Sequence, residues 1–285
     1  MTCFFAADLH GHERRYQRLV EAATAERPAA IFLGGDLLPH AGARRVGCGH
    51  FVDDYLEPLF LDLRARLGVD APRVFLIFGN DDPRCDEPAL VAGERAGAWT
   101  YLHEKHVSWE GFDVYGYAFV PPSPFLLKDW ERYDVSRHVD PGAVSPEEGQ
   151  RTVDVPVHET RYATIQRDLD ALTRAADMTR AVLLFHAPPH DTVLDRAALD
   201  DRMFDHVPLD PHVGSIAVRR FIEARQPLLT LHGHIHESAR LTGAWQLRLG
   251  RTLSVSAAHD GPELALVRFD PNALADVTRE LIRCE

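Results

Sequence analysis

Short apolar runs closed by polar clusters recur along this chain, with helical spacing between them. Cys3-Phe4-Phe5-Ala6-Ala7 ends at Asp8-Leu9-His10-Gly11-His12, and Ala29-Ala30-Ile31-Phe32-Leu33 ends at Gly34-Gly35-Asp36. Arg73-Val74-Phe75-Leu76-Ile77-Phe78 ends at Gly79-Asn80-Asp81-Asp82. Between these runs, residues 13–26 place Tyr16, Leu19, Val20 and Ala23 on one face, and residues 51–67 repeat Phe51, Tyr55, Leu59 and Leu63 every four positions. That spacing predicts amphipathic helices, and the apolar runs predict buried strands. Strands alternating with helices imply an α/β fold with a parallel sheet, whose ligands gather beyond the carboxyl ends of the strands. Each polar cluster falls at such an end.

The pattern continues less regularly. Residues 107–109 and 112–117 flank Glu110-Gly111 as a hairpin. Residues 118–159 lose periodicity and are rich in Pro and charge, which marks a lid-like or cap insertion within one domain spanning 1–285. Lys128, Trp130 and Arg132 form a candidate substrate-facing cluster there, set against the simpler reading of a solvated surface excursion. Residues 159–176 and 214–225 read as helices. Ala181-Val182-Leu183-Leu184-Phe185 is a buried strand ended by His186-Ala187-Pro188-Pro189-His190. Pro227-Leu228-Leu229-Thr230-Leu231 is another, leading into His232-Gly233-His234-Ile235-His236, where Gly233 is expected to turn the backbone sharply. Residues 240–242, 246–249, 252–256 and 264–269 read as further, largely antiparallel strands, and 272–284 as helix or strand.

Composition narrows the partners. With 45% hydrophobic and 26% charged residues over 285 positions, the chain can bury a full sheet core. A formal charge of −12 argues against duplex DNA, whose binding rests on basic patches. No window reaches the length of a membrane-spanning helix, and the apolar run at residues 3–7 is too short for a signal segment. Cys3, Cys48, Cys85 and Cys284 are scattered without a CxxC pair; read as free thiols, they fit a reducing cytoplasm.

Five strand ends supply Asp8 and His10, Asp36, Asn80, His186, and His234 with His236. Singly, each has an ordinary use: Asp8 as a helix cap, Asp36 in a turn, Asn80 in an Asx-turn, His186 as a satisfied core histidine. Together, two carboxylates, one amide oxygen and four imidazoles suit two divalent ions sharing a bridging carboxylate, the arrangement for in-line displacement at phosphorus. Mixed His, Asp and Asn ligands fit Mn, Fe, Zn or Co.

Asp8-Leu9-His10, Gly35-Asp36, Gly79-Asn80-Asp81-Asp82, His186 and Gly233-His234-Ile235-His236 closely resemble the ordered motifs of the calcineurin-like metallophosphoesterases. Phe185-His186-Ala187-Pro188-Pro189 and residues 125–131 resemble a prokaryotic branch similar to cyclic-nucleotide phosphodiesterases. The resemblance implies a four-layer α/β/β/α sandwich. It also implies one metal on Asp8, His10, Asp36 and His236, and a second on Asp36, Asn80, His186 and His234. The implied activity is hydrolysis of a small phosphodiester or phosphomonoester by a metal-bridging hydroxide, with Asp36 and Asn80 central to catalysis. One position departs from the pattern: where most of the family has a histidine after the Asn, this chain has Asp81, an acceptor-only group when ionised. Either Asp81 is protonated or turned away, or His12, His190 or His232 replaces it in proton transfer, with His12 and His190 at least as readable as partners that orient a ligand. Asp82 is expected to support a neighbouring imidazole or the Asn80 region. The alternative to an enzyme is a binding or scaffold module that keeps the fold without catalysis, and Asp81 is its best support.

Overall fold

The computed structural model describes residues 1–40 and 49–284. The first half of the chain lays down β1 (Cys3–Ala6), α1 (Glu13–Glu26), β2 (Ala30–Gly34), α2 (Glu57–Leu67), β3 (Arg73–Ile77), α3 (Glu87–Ala96) and β4 (Thr100–Tyr101). Strands β5 (Lys105–Trp109) and β6 (Phe112–Tyr117), helices α4 (Val157–Tyr162) and α5 (Ile165–Thr173), and β7 (Ala181–Phe185) follow. A small hairpin of β8 (Met203–Phe204) and β9 (Val207–Pro208) precedes α6 (Ile216–Arg225), β10 (Leu229–His232) and α7 (Ser238–Thr242). The chain closes with β11 (Gln246–Leu249), β12 (Thr252–Ser256), β13 (Leu264–Phe269) and β14 (Thr278–Ile282).

Two six-stranded sheets result, in the orders β14-β13-β1-β2-β3-β4 and β11-β12-β10-β7-β6-β5. Strands β1 to β4 are parallel, as are β6, β7, β10 and β12, and the antiparallel partners lie outside them. The four central strands β1, β2, β7 and β10 are buried along their whole length, which is why they read as continuous apolar runs. The sheets face each other through rings such as Phe32, Phe75 and Trp109. Tyr16 of α1 bonds the Leu37 carbonyl, and Phe221 of α6 packs on Phe185 of β7. Helices therefore cover both outer faces, the α/β/β/α sandwich. No helix among the described residues is long and apolar enough to cross a membrane.

Several local expectations change. The stripe buried deepest in 51–67 is Val52, Leu56, Phe60 and Leu63, while Phe51 and Tyr55 pack at its margin against Tyr16. The expected helix at 159–176 is two helices, because Ala163 and Thr164 are extended and Thr164 caps α5 by accepting from the Arg167 N–H. Residues 240–242 lie in α7 and not in a strand. Among the expected late strands, β12 runs parallel to β10. Cys3 and Cys284 are free thiols, whereas Cys85 is disulfide-bonded, against the expectation of scattered free thiols; Cys48 lies outside the described residues.

Lys128 and Trp130 do not face a substrate. Both are fully buried: Lys128 pairs with Glu131, and Trp130 sits among Phe78, His103 and Phe119. Arg132 lies over Phe119 and pairs with Asp168 of α5 and Glu159 of α4. This stretch is part of the core because its polar groups find partners there, which is the condition for burying them. Asp134 ties it further, accepting from the Ser215 hydroxyl and the Ile216 and Ala217 N–H groups at the start of α6.

Candidate metal centre

The loops after β1 and β2 run side by side, held by Asp8 N–H to Gly35 O at 3.0 Å, His10 N–H to Asp36 O at 2.8 Å and Gly11 N–H to Leu37 O at 2.9 Å. The Arg15 guanidinium, on α1, braces the first loop by donating to the Asp8 carbonyl at 2.8 Å. The Gly233 N–H donates to the His186 carbonyl at 3.0 Å, joining the loops after β7 and β10. Asp8, His10, Asp36 and His234 all take positive φ, between 47° and 77°, a region that costs a residue with a Cβ about 1–2 kcal/mol. Such backbone positions persist where the surrounding hydrogen bonds hold them, as these loop-to-loop bonds do. Within the His232–His236 segment the sharp turn is made by His234, not Gly233 as expected. Gly233 serves close approach instead: a Cβ there would lie 2.9 Å from both the Ala7 Cβ and Asp8 Oδ2. Gly79 does the same, since a Cβ there would collide with Asp36 Oδ1.

These loops bring the expected donors together. Asp8, His10, Asp36 and His236 each present a ligand atom within 4.8 Å of the others. His236 Nε2 is 3.4 Å from Asp8 Oδ1, and His10 Nε2 is 3.1 Å from His236 Nε2 and 3.9 Å from Asp36 Oδ2. On the other side of Asp36, His186 Nε2 lies 3.4 Å from Asp36 Oδ2 and 3.0 Å from Asn80 Oδ1. The ring of His234 is 5.1 Å from that of His186. Asp36 thus stands between two groups of donors. His186 Nδ1 donates to the Gly34 carbonyl at 2.8 Å, which leaves Nε2 as the nitrogen with a free lone pair once deprotonated.

Electrostatics follow from this crowding. Burial alone would raise Asp8 and Asp36, but His236 and His186 around Asp8, and His186 and His10 around Asp36, hold both below the usual carboxylate range. Burial alone would lower His186, yet the Asp36 carboxylate outweighs it and lifts the imidazole to about 9. His234, buried beside His186, falls to about 3 and stays neutral. The donor set fits hard-to-borderline divalent cations: anionic oxygens, an amide oxygen and imidazoles, with carboxylates pressed against positive charge even without a metal.

Residues 1–238 match the family described as calcineurin-like phosphoesterase. The chain belongs to that family. Among solved structures, TT1561 of Thermus thermophilus is similar at 18% identity over 99% of each chain, with a TM-score of 0.60. A second crystal structure is similar at 16% identity, again over 99% of each chain, with a TM-score of 0.59. An archaeal phosphodiesterase is more distant, at 9% identity over 99% of this chain and 100% of its own, with a TM-score of 0.41. No curated protein matches the chain. The likeness in fold is that of the calcineurin-like phosphoesterases, and the buried Asp/His cluster at its strand ends is consistent with their metal site.

The remaining candidates sort differently. His12 is exposed at the start of α1, its pKa lowered by partial burial and by Arg15, His10 and His40 nearby. His190 lies beside Asp195, 3.8 Å away, and edge-on to His212. His232 is fully buried, bonded to the Ala187 carbonyl at 2.9 Å and Thr230 Oγ1 at 2.8 Å, so both nitrogens are used and burial lowers it to about 4. Its ring thereby ties the end of β10 to the loop after β7. Asp82 supports the Asn80 region, the second of the two uses expected of it, and not an imidazole. Its buried carboxylate accepts from the Leu37, Leu38 and Gly79 N–H groups at 2.8 to 3.1 Å, fastening the loop after β2 to the loop after β3, while burial and Asp36 push it up to about 7. Asp82→Ala leaves three buried N–H groups without acceptors and is expected to lower stability by about 3 kcal/mol or more. A urea midpoint unchanged from wild type would refute that role.

The sequence reading missed His40. Its Nδ1 is hydrogen-bonded to the Asp81 carboxylate, and its ring stacks on His10 with centroids 4.3 Å apart. The motif Gly35-Asp36-Leu37-Leu38-Pro39-His40 held the signal: a polar ring four positions past a candidate ligand, on the loop that faces Asn80-Asp81.

Proposed function

We propose that this chain hydrolyses a phosphate ester, with a phosphodiester as the first substrate to test. Two divalent cations would be held by Asp8, His10, Asp36 and His236 on one side and by Asp36, Asn80, His186 and His234 on the other. The observation that carries this reading is the convergence of Asp8, His10, Asp36 and His236 from three separate loops to within 4.8 Å of one another. When bound, such cations make hydroxide available at neutral pH and neutralise phosphate oxygens. Two divalent charges against the carboxylates of Asp8 and Asp36 leave a positive pocket, which attracts a phosphate although the whole chain carries −12. Asn80 adds an oxygen without further negative charge. His12, exposed near His10, would exchange a proton with solvent; His190 lies beside Asp195 and His212.

The test is metal analysis combined with hydrolysis of bis-p-nitrophenyl phosphate and p-nitrophenyl phosphate under Mn, Fe, Zn and Co. Hydrolysis that disappears with a chelator and returns with metal is the expected result. A chain that takes up metal and hydrolyses neither ester would instead be the binding module.

A further inference from the structure

Asp81 turns its carboxylate toward two imidazoles at once. Its Oδ2 is hydrogen-bonded to His40 Nδ1 and lies 3.6 Å from His10 Nδ1. His10 directs its other nitrogen, Nε2, into the donor cluster beside His236 and Asp36. The Nδ1 is buried and has no hydrogen-bond partner among the described residues, so the carboxylate facing it is the group in place to satisfy it. His40 covers His10 with nearly parallel rings, 21° apart, and its side chain is 59% exposed.

We propose that Asp81 is a positioning residue of the metal centre. Its carboxylate receives the His10 Nδ1–H, which fixes the tautomer that leaves Nε2 free to ligate, and it holds the His40 ring at the mouth as a hydrogen-bond donor to the substrate's phosphate. This rests on the phosphoesterase reading above. Imidazoles that bind metal donate their second N–H to a carboxylate or carbonyl, and such partners control affinity. A carboxylate engaged this way has its charge directed at two rings and away from the incoming phosphate. His10, His40 and Asp81 also stand close enough to hold an ion by themselves. That use would require His10 to ligate through both nitrogens and lose its second ring proton, whereas donating Nδ1–H to Asp81 requires no such loss. The hydrogen bond is therefore favoured over an outer cation.

The experiment compares wild type with Asp81→Ala, Asp81→Asn and His40→Ala, reading metal affinity by chelator competition, ions bound per chain, and kcat. The Asp81 backbone N–H, which donates to Asp36 Oδ1 at 2.8 Å, survives all three changes, and thermal unfolding verifies that each variant is folded. Asp81→Ala should bind metal about 10- to 100-fold more weakly. Asp81→Asn keeps an acceptor for the His10 N–H and should recover most of that loss. His40→Ala should bind metal like wild type but lose about 10²-fold in kcat. Wild-type metal affinity in Asp81→Ala, or wild-type kcat in His40→Ala, overturns the proposal. So does the loss of one extra ion per chain in all three variants, which would mean an outer cation site. A wild type that bound no metal would overturn this inference and the phosphoesterase reading together; a metal-loaded, active wild type with an indifferent Asp81→Ala overturns this inference alone.

Discussion

Asp36→Ala is expected to yield a folded chain whose phosphodiester hydrolysis is at least about 10³-fold slower than wild type, with less than the full metal complement. This side chain stands between the two groups of donors. One carboxylate oxygen accepts from the Asp81 N–H at 2.8 Å, and the other lies 3.4 Å from His186 Nε2 and 3.9 Å from His10 Nε2. Removing it takes a ligand from both groups of donors and leaves Asp8 as the only carboxylate of the proposed ligand set opposing two divalent charges. It also strands His186, which Asp36 keeps protonated in the metal-free chain. An unpartnered buried charge destabilises by several kcal/mol or is lost by deprotonation. Metal content by elemental analysis and kcat/KM on bis-p-nitrophenyl phosphate measure the two effects. Wild-type rates at reduced metal content would sink the mechanism.

Metal affinity should climb with pH by about tenfold per unit from neutrality to about pH 9, then flatten. His186 is held at about 9 by Asp36, so below that pH a cation must displace its proton; above it, the lone pair is already free. His10 and His236 are also raised, the first by Asp81 and Asp36 and the second by Asp8, in each case against the effect of burial, so their protons add to the slope. The same shift has the opposite consequence for the metal-free fold. A group whose folded pKa is raised contributes stability that is fully present below its unfolded value, here 6.5, and lost as pH rises through about 9. Chelator competition at several pH values, alongside denaturant unfolding of the metal-free chain, tests both signs. An affinity flat from pH 6.5 to 8.5 would contradict the protonated His186.

What could be read along the chain was whatever depends on neighbours in sequence. Apolar runs named β1, β2, β3, β7 and β10 nearly to the residue, because a strand buried on both faces must be apolar throughout. The four-residue spacing of Tyr16, Leu19, Val20 and Ala23 named α1, because one face of a helix meets the sheet. The donors closing those runs named the cluster, since in a parallel sheet strand ends share one edge. Where polar groups find partners only across loops, local pattern carried no such information. Lys128, Trp130 and Arg132 read as a substrate-facing cluster or a solvated excursion, yet Glu131, Asp168 and Glu159 supply partners that let Lys128 and Arg132 go inside. Asp82 was read as a partner of an imidazole or of the Asn80 region; it takes the second role through the Gly79 N–H, but the Leu37 and Leu38 N–H groups of another loop claim it as well. His40 reaches Asp81 across 41 positions only because β2 lies beside β3.

By itself, then, the sequence determined the α/β class, the buried strands and the candidate donors, since all three are written in residue type and short-range period. Only the tertiary structure decided which donors touch, which strained backbone positions hold them, and which histidine meets Asp81. Those follow from the order in which strands pair, and hydrogen bonds between loops exist only once that order is set.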